Sequence, residues 1–249
     1  MITIIHGFIE SGDFMEISRR LEWIASFVKQ GERVADIGTD HGYIPIYLAQ
    51  NKTSPKVIAM DINFGPLDKA KNNIRAYHQE DIVEARLSNG LMTLDEGEVD
   101  CIIIAGMGGR LIDQILRESK EKLMTYKRWI ISPHKDIDIV RKTLLELGIA
   151  IIDEDMMYED GHYYTVLIAI TDTKDVAYLP YSPNENPLFF VYGKCLVTKK
   201  HPLLLEQLKM KNTRDKQLID ILKEKGIINR IAELEHDIVI RNKVIKWMQ

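Results

Sequence analysis

Two carboxylates and two glycines alternate in the segment Asp36-Ile37-Gly38-Thr39-Asp40-His41-Gly42-Tyr43. The segment begins inside the apolar run Val34–Ile37, which predicts a buried strand. In a doubly wound α/β sheet, the loop after the first strand lies where ligands bind, and glycine allows the backbone to approach a ligand closely. We therefore predict a ligand-binding loop that contains Asp36, Gly38, Thr39, Asp40 and Gly42.

The two acids of this loop indicate the charge of its ligand. A nicotinamide-binding loop has the pattern Gly-x-Gly-x-x-Gly and places a pyrophosphate at a helix N-terminus. Here Asp40 stands where the second glycine should be, and its negative charge would repel a pyrophosphate. A cofactor that carries ammonium and sulfonium groups would instead be attracted by Asp36 and Asp40. S-adenosylmethionine is such a cofactor.

Three later strand ends carry further residues that could bind a ligand. Asp61 follows the apolar run Val57–Met60, where an acid can accept both ribose hydroxyls of an adenosine, in S-adenosylmethionine or in a dinucleotide. Asn89-Gly90 falls where a third strand would end, and it predicts either an adenine contact or a simple turn. Ala105-Gly106-Met107-Gly108-Gly109 follows the run Cys101–Ile104. So many small residues at a strand end leave room for a ligand.

Together these motifs resemble those of the bacterial tRNA (adenine-N1)-methyltransferases that modify adenine 22. The resemblance extends in order and spacing from Met15 through the rest of the chain. The combination of the 36–43 segment with Ala-Gly-Met-Gly-Gly is specific to that family, whereas either half alone is a weak signal. The matching residues are Ser18-Arg19-Arg20-Leu21 with Ile24-Ala25, Ala35 to Pro45, Asn89-Gly90-Leu91 and Ile104 to Gly109.

The resemblance implies a tRNA (adenine(22)-N1)-methyltransferase that uses S-adenosylmethionine and binds tRNA. Carried over position by position, it implies that the 36–42 loop holds the methionine part of the cofactor, that Asp61 binds the ribose and that Asn89 binds the adenine. Gly106–Gly108 would form the floor of the binding site. The complete set of cofactor-binding residues predicted here is Asp36, Gly38, Thr39, Asp40, Gly42, Asp61, Asn89, Gly90, Ala105, Gly106, Met107 and Gly108.

Four residues are predicted to act at the target base: Asp40, His41, Pro133 and His134. Asp40 could stabilise the positive charge that a methylated adenine acquires, and His41 lies within the glycine loop. Ser132-Pro133-His134 departs from the Gln-Pro-Asn typical of the family, at a position where amino-methylating enzymes hold an exocyclic amine. His134 is therefore predicted either to orient the target base or to cap the helix that follows.

Charge is distributed unevenly along the 249 residues, although the net charge is only -4. The segment Lys199–Gln249 contains 12 Lys and Arg against seven Asp and Glu, so it is basic while the rest of the chain is acidic. A basic segment indicates contact with a polyanion or, equally, a solvated helix. We predict that this segment, with Arg19 and Arg20, contacts tRNA phosphates.

The composition excludes several classes of protein. With 45% hydrophobic and 28% charged residues, the chain is typical of a globular domain. We see no apolar run of about 20 residues and no secretory signal pattern, which predicts a cytoplasmic protein without a membrane partner. Cys101 and Cys195 have neither disulfide nor metal-ligand spacing. We therefore expect reduced cysteines and no metal.

The elements that must position these residues follow from the hydrophobic periodicity. Short apolar runs alternate with helical patterns, which predicts an α/β fold, a Rossmann-like class I methyltransferase core with a doubly wound parallel sheet. A leading helix is predicted from Ile17 to Val28, with Ser18 near its start. The predicted strands are Val34–Ile37, Val57–Met60, Cys101–Ala105, Trp129–Ile131, Ile149–Ile152 and Tyr163–Ile170.

Three regions are predicted along the chain: a methyltransferase domain over 15–170, a polar, proline-containing connector over 171–198 and a helical hairpin of coiled-coil type over 199–249. The hairpin turns at Gly226–Asn229. Met15 could be an alternative start, since the residues before it show no pattern.

Two other functional classes remain open at this stage. One is a dinucleotide-binding Rossmann protein that uses Asp61 for a ribose. The other is a methyltransferase for a non-RNA substrate, in which the hairpin only dimerises the chain. Both a monomer and a homodimer are compatible with the sequence.

Overall fold

A seven-stranded mixed sheet organises the chain in the computed structural model, which describes residues 14–174, 181–182 and 184–249. The strand order is β3-β2-β1-β4-β5-β7-β6. β1 to β5 are parallel, and the order reverses between β1 and β4, which places a ligand crevice at their carboxyl ends. The strands are β1 (Val34–Ile37), β2 (Val57–Asp61), β3 (Val83–Leu87), β4 (Cys101–Ala105), β5 (Arg128–Ser132), β6 (Ala150–Glu159) and β7 (His162–Ile170).

The predicted parallel arrangement is confirmed for β1, β2, β4 and β5 and is wrong for β6 and β7. β3, of which only the end was predicted, is also parallel. β7 is antiparallel to both β5 and β6. β6 and β7 are joined by Asp160 and Gly161, both with positive φ. A connection this short can only form a hairpin, because parallel neighbours require a crossover of a dozen or more residues.

Helices cover both faces of the sheet, as predicted for the Rossmann-like core. Alternate strand residues point to opposite faces, and because both faces are buried at the centre of the sheet, the central strands β2 and β4 are almost entirely apolar. α1 to α3 pack on one face and α4 and α5 on the other. These helices are α1 (Arg19–Ala25), α2 (Tyr43–Gln50), α3 (Phe64–Ala76), α4 (Gly109–Glu118) and α5 (Ile137–Glu146), with a 3₁₀ turn at Leu123–Thr125.

The C-terminal part of the predicted connector contains two short helices, α6 (Pro187–Tyr192) and α7 (Lys194–Thr198). The buried Glu154 of β6 holds this region to the core: its carboxylate accepts hydrogen bonds from Arg141 Nε (2.6 Å), Tyr181 OH (2.8 Å) and Cys195 N (3.0 Å). Because the helices are so short, no periodic pattern predicted them. The remaining residues of the connector lie partly outside the described residues.

The predicted helical hairpin is present as α8 (Pro202–Glu224) and α9 (Ile228–Trp247), which turn at Gly226. At its base, α8 and α9 share an apolar cluster with Met156 of β6 and Leu196 of α7. A second, distal cluster joins the two helices near the turn. In the described part of the chain, none of the helices is long and apolar enough to cross a bilayer.

Candidate functional site

A cavity of about 470 Å³ opens at the carboxyl ends of β1, β4 and β5. It brings together six residues predicted for the cofactor or the base, and Arg20 of α1. Glu16, Ile17 and Tyr43 also line it, and no ligand-binding role was predicted for them. The predicted residues in the lining are Asp36, Gly38, Asp40, Ala105, Gly106 and His134.

The loop after β1 is fixed by its own backbone. The amides of Gly38 and Thr39 both donate hydrogen bonds to the carbonyl of Met60, at 2.8 Å each. Gly38 has φ +74, and a Cβ there would lie 2.0 Å from Cε of Met107. Any other residue at position 38 would therefore strain the loop and displace the Met107 side chain. These contacts hold Asp36 and Asp40 at the cavity wall.

Asp36 is a buried carboxyl at the end of β1. The pKa of Asp36 is raised to about 6, chiefly by burial and in smaller part by the negative charges of Asp61 and Asp40, while the Thr39 hydroxyl lowers it. A buried acid that faces two other acids is stabilised by a cation. The site is thus prepared for a positively charged ligand.

Asp40 and His41 are paired, but only Asp40 lines the cavity. The Asp40 side chain is 79% exposed, and its Oδ1 lies 3.2 Å from Nε2 of His41. The His41 ring stacks on Tyr43 at 5.3 Å between centroids and approaches Lys69 Nζ at 3.5 Å. His41 is not part of the cavity lining. Its predicted catalytic role stays a prediction, and its contacts support the shape of the loop.

Asp61 and Asn89-Gly90 lie on the neighbouring strand ends, beyond the lining of the cavity. Oδ1 of Asp61 accepts a hydrogen bond from the amide of Asn63 at 2.6 Å, and the Asp61 carbonyl accepts one from Ser88 N at 2.9 Å. Asn89 is exposed and its carbonyl accepts from Met92 N at 3.2 Å. The predicted turn is therefore present, while the adenine contact stays a prediction.

The loops after β4 and β5 are in direct backbone contact. The amide of His134 donates to the carbonyl of Met107 at 2.9 Å, and the amide of Gly109 donates to the carbonyl of Lys135 at 2.9 Å. A Cβ at Gly109 would lie 2.2 Å from the carbonyl oxygen of Asp136. Glycine is thus required at position 109 for backbone packing, and Gly108 is the N-cap of α4.

His134 faces the cavity rather than the helix that follows it. The N-cap of α5 is Asp136, so the predicted alternative that His134 caps this helix is wrong. Pro133, beside it, is buried. Partial burial of the ring and the positive charge of Arg20 lower the pKa of His134. The lowered pKa favours the neutral imidazole, in which one nitrogen donates and the other accepts.

Arg20, on α1, lines the cavity. The first turn of α1 is capped by Ser18, whose Oγ accepts a hydrogen bond from Leu21 N at 3.3 Å. The Arg20 guanidinium lies over the ring of Tyr164, 5.2 Å from its centroid. Its Nη1 is buried and has no hydrogen-bond partner among the described residues. Arg19 is exposed and does not line the cavity. Tyr164, on β7, carried no signal in the sequence analysis.

No group of three or more His, Cys, Asp and Glu side chains in the described ranges lies close enough to hold a metal ion. Cys101 and Cys195 are free and buried. Burial raises the pKa of both thiols. Neither thiol is therefore a reactive group.

Comparison with known proteins agrees with this geometry. A family model described as a methyltransferase domain matches residues 17–167. The tRNA (adenine(22)-N(1))-methyltransferase of Bacillus subtilis is 37% identical over 193 residues, which cover 78% of this chain and 80% of the relative. This chain belongs to the tRNA (adenine(22)-N1)-methyltransferase family. The resemblance found in the 36–43 and 105–109 segments is thereby confirmed, and so is the assignment as an enzyme.

Solved structures of members of this family share the fold over nearly the whole chain. The crystal structure of the Bacillus subtilis m1A22 tRNA methyltransferase superimposes with a TM-score of 0.77 at 28% identity, covering 92% of this chain and 99% of that one. A Streptococcus pneumoniae protein solved in complex with S-adenosyl-L-methionine gives a TM-score of 0.79 at 29% identity, covering 92% and 100%.

Proposed function

We propose that this protein transfers a methyl group from S-adenosylmethionine to N1 of adenine 22 in tRNA. The observation that carries the proposal is the arrangement of charge in one cavity, with the buried Asp36 and the exposed Asp40 at the β1 side and with Arg20 and His134, near the exposed Glu16, at the α1 and β5 side. A cationic cofactor fits the first side, and a nucleotide with its phosphate fits the second.

The residues around the β1 loop fit S-adenosylmethionine. Asp36 and Asp40 would face its ammonium and sulfonium charges, and the raised pKa of Asp36 is what we expect of a carboxyl that a cation would stabilise. Asp61 would accept hydrogen bonds from the ribose hydroxyls, beside Asn89 and Gly90. The cofactor supplies an electrophilic methyl group. The protein has to hold the acceptor in line with it, which by itself accounts for much of the rate.

Adenine N1 carries a lone pair and no proton, so the transfer requires no catalytic base. His134, in its neutral form, would accept a hydrogen bond from the exocyclic amino group and so direct N1 toward the methyl group. The methylated base is cationic, and Asp40 would stabilise that charge as it develops. Because N1 lies on the Watson–Crick edge, the base must leave its stack to enter the cavity.

The basic hairpin and α1 are the proposed tRNA contacts. Most Lys and Arg side chains of α8 and α9 are exposed, and phosphate contacts by such residues release counterions. Arg19 lies outside the cavity and Arg20 inside it, so α1 could hold the phosphates that flank the flipped base. Since tRNA is the proposed substrate, we place the protein in the cytoplasm.

Methylation of unmodified tRNA, with the product mapped by mass spectrometry, tests the proposal. We expect one methyl group, on adenine 22, and none on a matched tRNA that carries guanine at this position. Calorimetry should show binding of S-adenosylmethionine and no comparable binding of nicotinamide dinucleotides. Methylation at another nucleotide, or tight dinucleotide binding without a response to S-adenosylmethionine, would contradict the assignment.

A further inference from the structure

A second recess, of about 390 Å³, opens next to the cavity described above. We call it the outer recess. Its lining consists of His134, His162, Tyr163 and Tyr164, and His134 also lines the first cavity. The two spaces are therefore neighbours that share one side chain. A nucleotide in the first cavity would have its chain neighbour within reach of the outer recess.

The rings of the outer recess are centred on Tyr164. The rings of His134 and His162 each lie 6.4 Å from it, inclined by 57° and 58°. His162 is exposed and Tyr164 is partly exposed. These three rings belong to two different strand ends, and none of them is needed to fill the core clusters. They form a ring-lined surface that a planar group can contact.

The charges of the two spaces differ. The first cavity is lined by Glu16, Asp36 and Asp40, whereas none of the described residues that line the outer recess is acidic. Arg20 covers the Tyr164 ring at 5.2 Å, and its buried Nη1 lacks a hydrogen-bond partner in the described structure. Arg20 lines the first cavity and not the outer recess, so an aromatic face in the recess lies beside an unpaired positive donor in the neighbouring cavity. This combination suits a nucleotide, which has a flat base and an anionic phosphate.

We propose that the outer recess binds the unpaired base of the nucleotide next to the target adenine, with that base stacked on Tyr164 and the connecting phosphate paired with Arg20. The inference rests on the proposed function, because it takes the target adenine to occupy the first cavity. Tyr164 is then a residue of the RNA-binding site that acts on affinity for RNA. It makes no contact with the transferred methyl group.

A coupling experiment between protein and RNA tests this stacking. Tyr164→Leu removes the ring but keeps an apolar side chain, and Tyr164→Phe keeps the ring. Each protein is titrated, with S-adenosylhomocysteine present and at one fixed salt concentration, against tRNA and against tRNA with an abasic site at the nucleotide before or after the target. Tyr164→Leu should weaken binding of intact tRNA by about 5- to 150-fold, the range for loss of one stacked base. Tyr164→Phe should bind as the wild type does.

The abasic substrates identify the stacked base. For one of the two neighbouring positions, the abasic tRNA should bind the wild-type protein more weakly than intact tRNA, by the same factor as Tyr164→Leu weakens binding of intact tRNA. Tyr164→Leu should not weaken the binding of this abasic tRNA any further. Steady-state kinetics should show the defect in the KM for tRNA, with kcat and the affinity for S-adenosylhomocysteine unchanged. A thermal unfolding curve for each variant shows whether it is folded.

Two outcomes would overturn the inference. If Tyr164→Leu weakens binding equally for intact and abasic tRNAs, Tyr164 stacks on neither neighbour. If only an abasic site at the target itself removes the effect, the target adenine and not its neighbour lies on Tyr164. A failure of the proposed function can be told apart from a failure of this inference by the methylation assay. If the proposed function is wrong, the wild-type protein does not methylate adenine 22 at all.

Discussion

His201 and Asp155 form a close pair where the hairpin joins the sheet, with 2.8 Å between His201 Nε2 and Asp155 Oδ1. The other carboxylate oxygen of Asp155 accepts a hydrogen bond from Trp23 Nε1 at 3.2 Å. One carboxylate of β6 therefore supports both α1, which carries Arg19 and Arg20, and the residue that precedes α8. The two proposed RNA-contacting parts of the protein share this support.

Asp155→Ala should destabilise the protein because it removes both hydrogen bonds of the shared carboxylate. We expect the free energy of unfolding to fall by about 1.5–3 kcal/mol, the range for hydrogen bonds to a charged group, as measured by urea denaturation. Lys199→Ala is the matched control, since it removes a half-exposed pair with Asp153 and should cost less than about 1 kcal/mol. Equal losses for the two variants would show that Asp155 has no special supporting role.

Asp36→Asn should make the cofactor-free protein more stable above pH 6. The pKa of Asp36 is about 6 in the folded protein and about 3.9 when unfolded. Between about pH 4 and 6 the unfolded chain releases the proton while the folded chain keeps it, so the wild type loses stability as pH rises through this window. The amide of the variant does not titrate, and its advantage should reach about 3 kcal/mol above pH 6.

Denaturant unfolding of both proteins between about pH 4 and 8 measures this difference. Binding of S-adenosylmethionine to the wild type should weaken below pH 6, where Asp36 becomes protonated, and Asp36→Asn should bind it weakly at every pH. Parallel stability curves for the two proteins would show that the Asp36 pKa is not raised.

Asp61→Ala should weaken cofactor binding through loss of the ribose hydrogen bonds, by about 1.5–3 kcal/mol. Calorimetry with S-adenosylhomocysteine measures the change, and folding should survive because the side chain is partly exposed. Asp68→Ala, an exposed acid on the neighbouring helix α3, provides the control for general loss of negative charge. Unchanged affinity in folded Asp61→Ala would remove this residue from the site.

Glu154→Gln should be strongly destabilising, because it leaves the buried Arg141 guanidinium without its counter-charge. The Glu154 and Arg141 side chains are 0% and 2% exposed and lie 2.6 Å apart. Loss of one partner of such a pair costs about 3–5 kcal/mol. The exposed pair of Arg117 with Glu146 offers the comparison, since Glu146→Gln should change the free energy of unfolding by less than about 1 kcal/mol. Similar values for both variants would be inconsistent with a buried, paired Glu154.

Substitution of exposed cations on the hairpin should weaken tRNA binding and its dependence on salt. Removing residues 199–249 would uncover the apolar base cluster around Met156 and Leu196, so point substitutions are the sharper test. With Arg214, Lys216 and Lys223 changed to Gln, the slope of log K against log salt should become shallower by about 2–3 if all three contact phosphates.

The matched control for these substitutions changes Asp220, Glu224 and Glu235 to the corresponding amides, which should strengthen tRNA binding. Molar mass in solution is measured for each protein. Unchanged affinity and slope in the cation variant, together with a stable dimer, would favour a hairpin that only dimerises the chain.

The sequence predicted those parts of the site that are encoded within one short segment. The 36–42 loop and the small residues after β4 each follow a strand directly, so their place at the switch point follows from topology alone. The approach of Arg20 to Tyr164 could not be predicted in this way. It joins α1 to β7, far along the chain, and depends on β7 entering the sheet antiparallel beside β5.

Short elements were missed for a different reason. α6 and α7 contain six and five residues, too few to show a helical period. In α7 the amide of Cys195 donates to the buried Glu154, and in α6 the carbonyl of Phe190 accepts from Arg141. Such tertiary interactions have no local sequence pattern. The role of Gly109 was also only partly visible, because a glycine required for a ligand and a glycine required for backbone packing look the same in a sequence.

The backbone contact at Gly109 limits the motion of the cavity floor. The loops after β4 and β5 are joined by the amides of Gly109 and His134 and by a backbone approach that leaves no room for a Cβ. Both amide protons are therefore hidden between the two loops, and they should exchange with solvent together and slowly. We therefore expect the floor of the cavity to keep its position when a ligand enters or leaves.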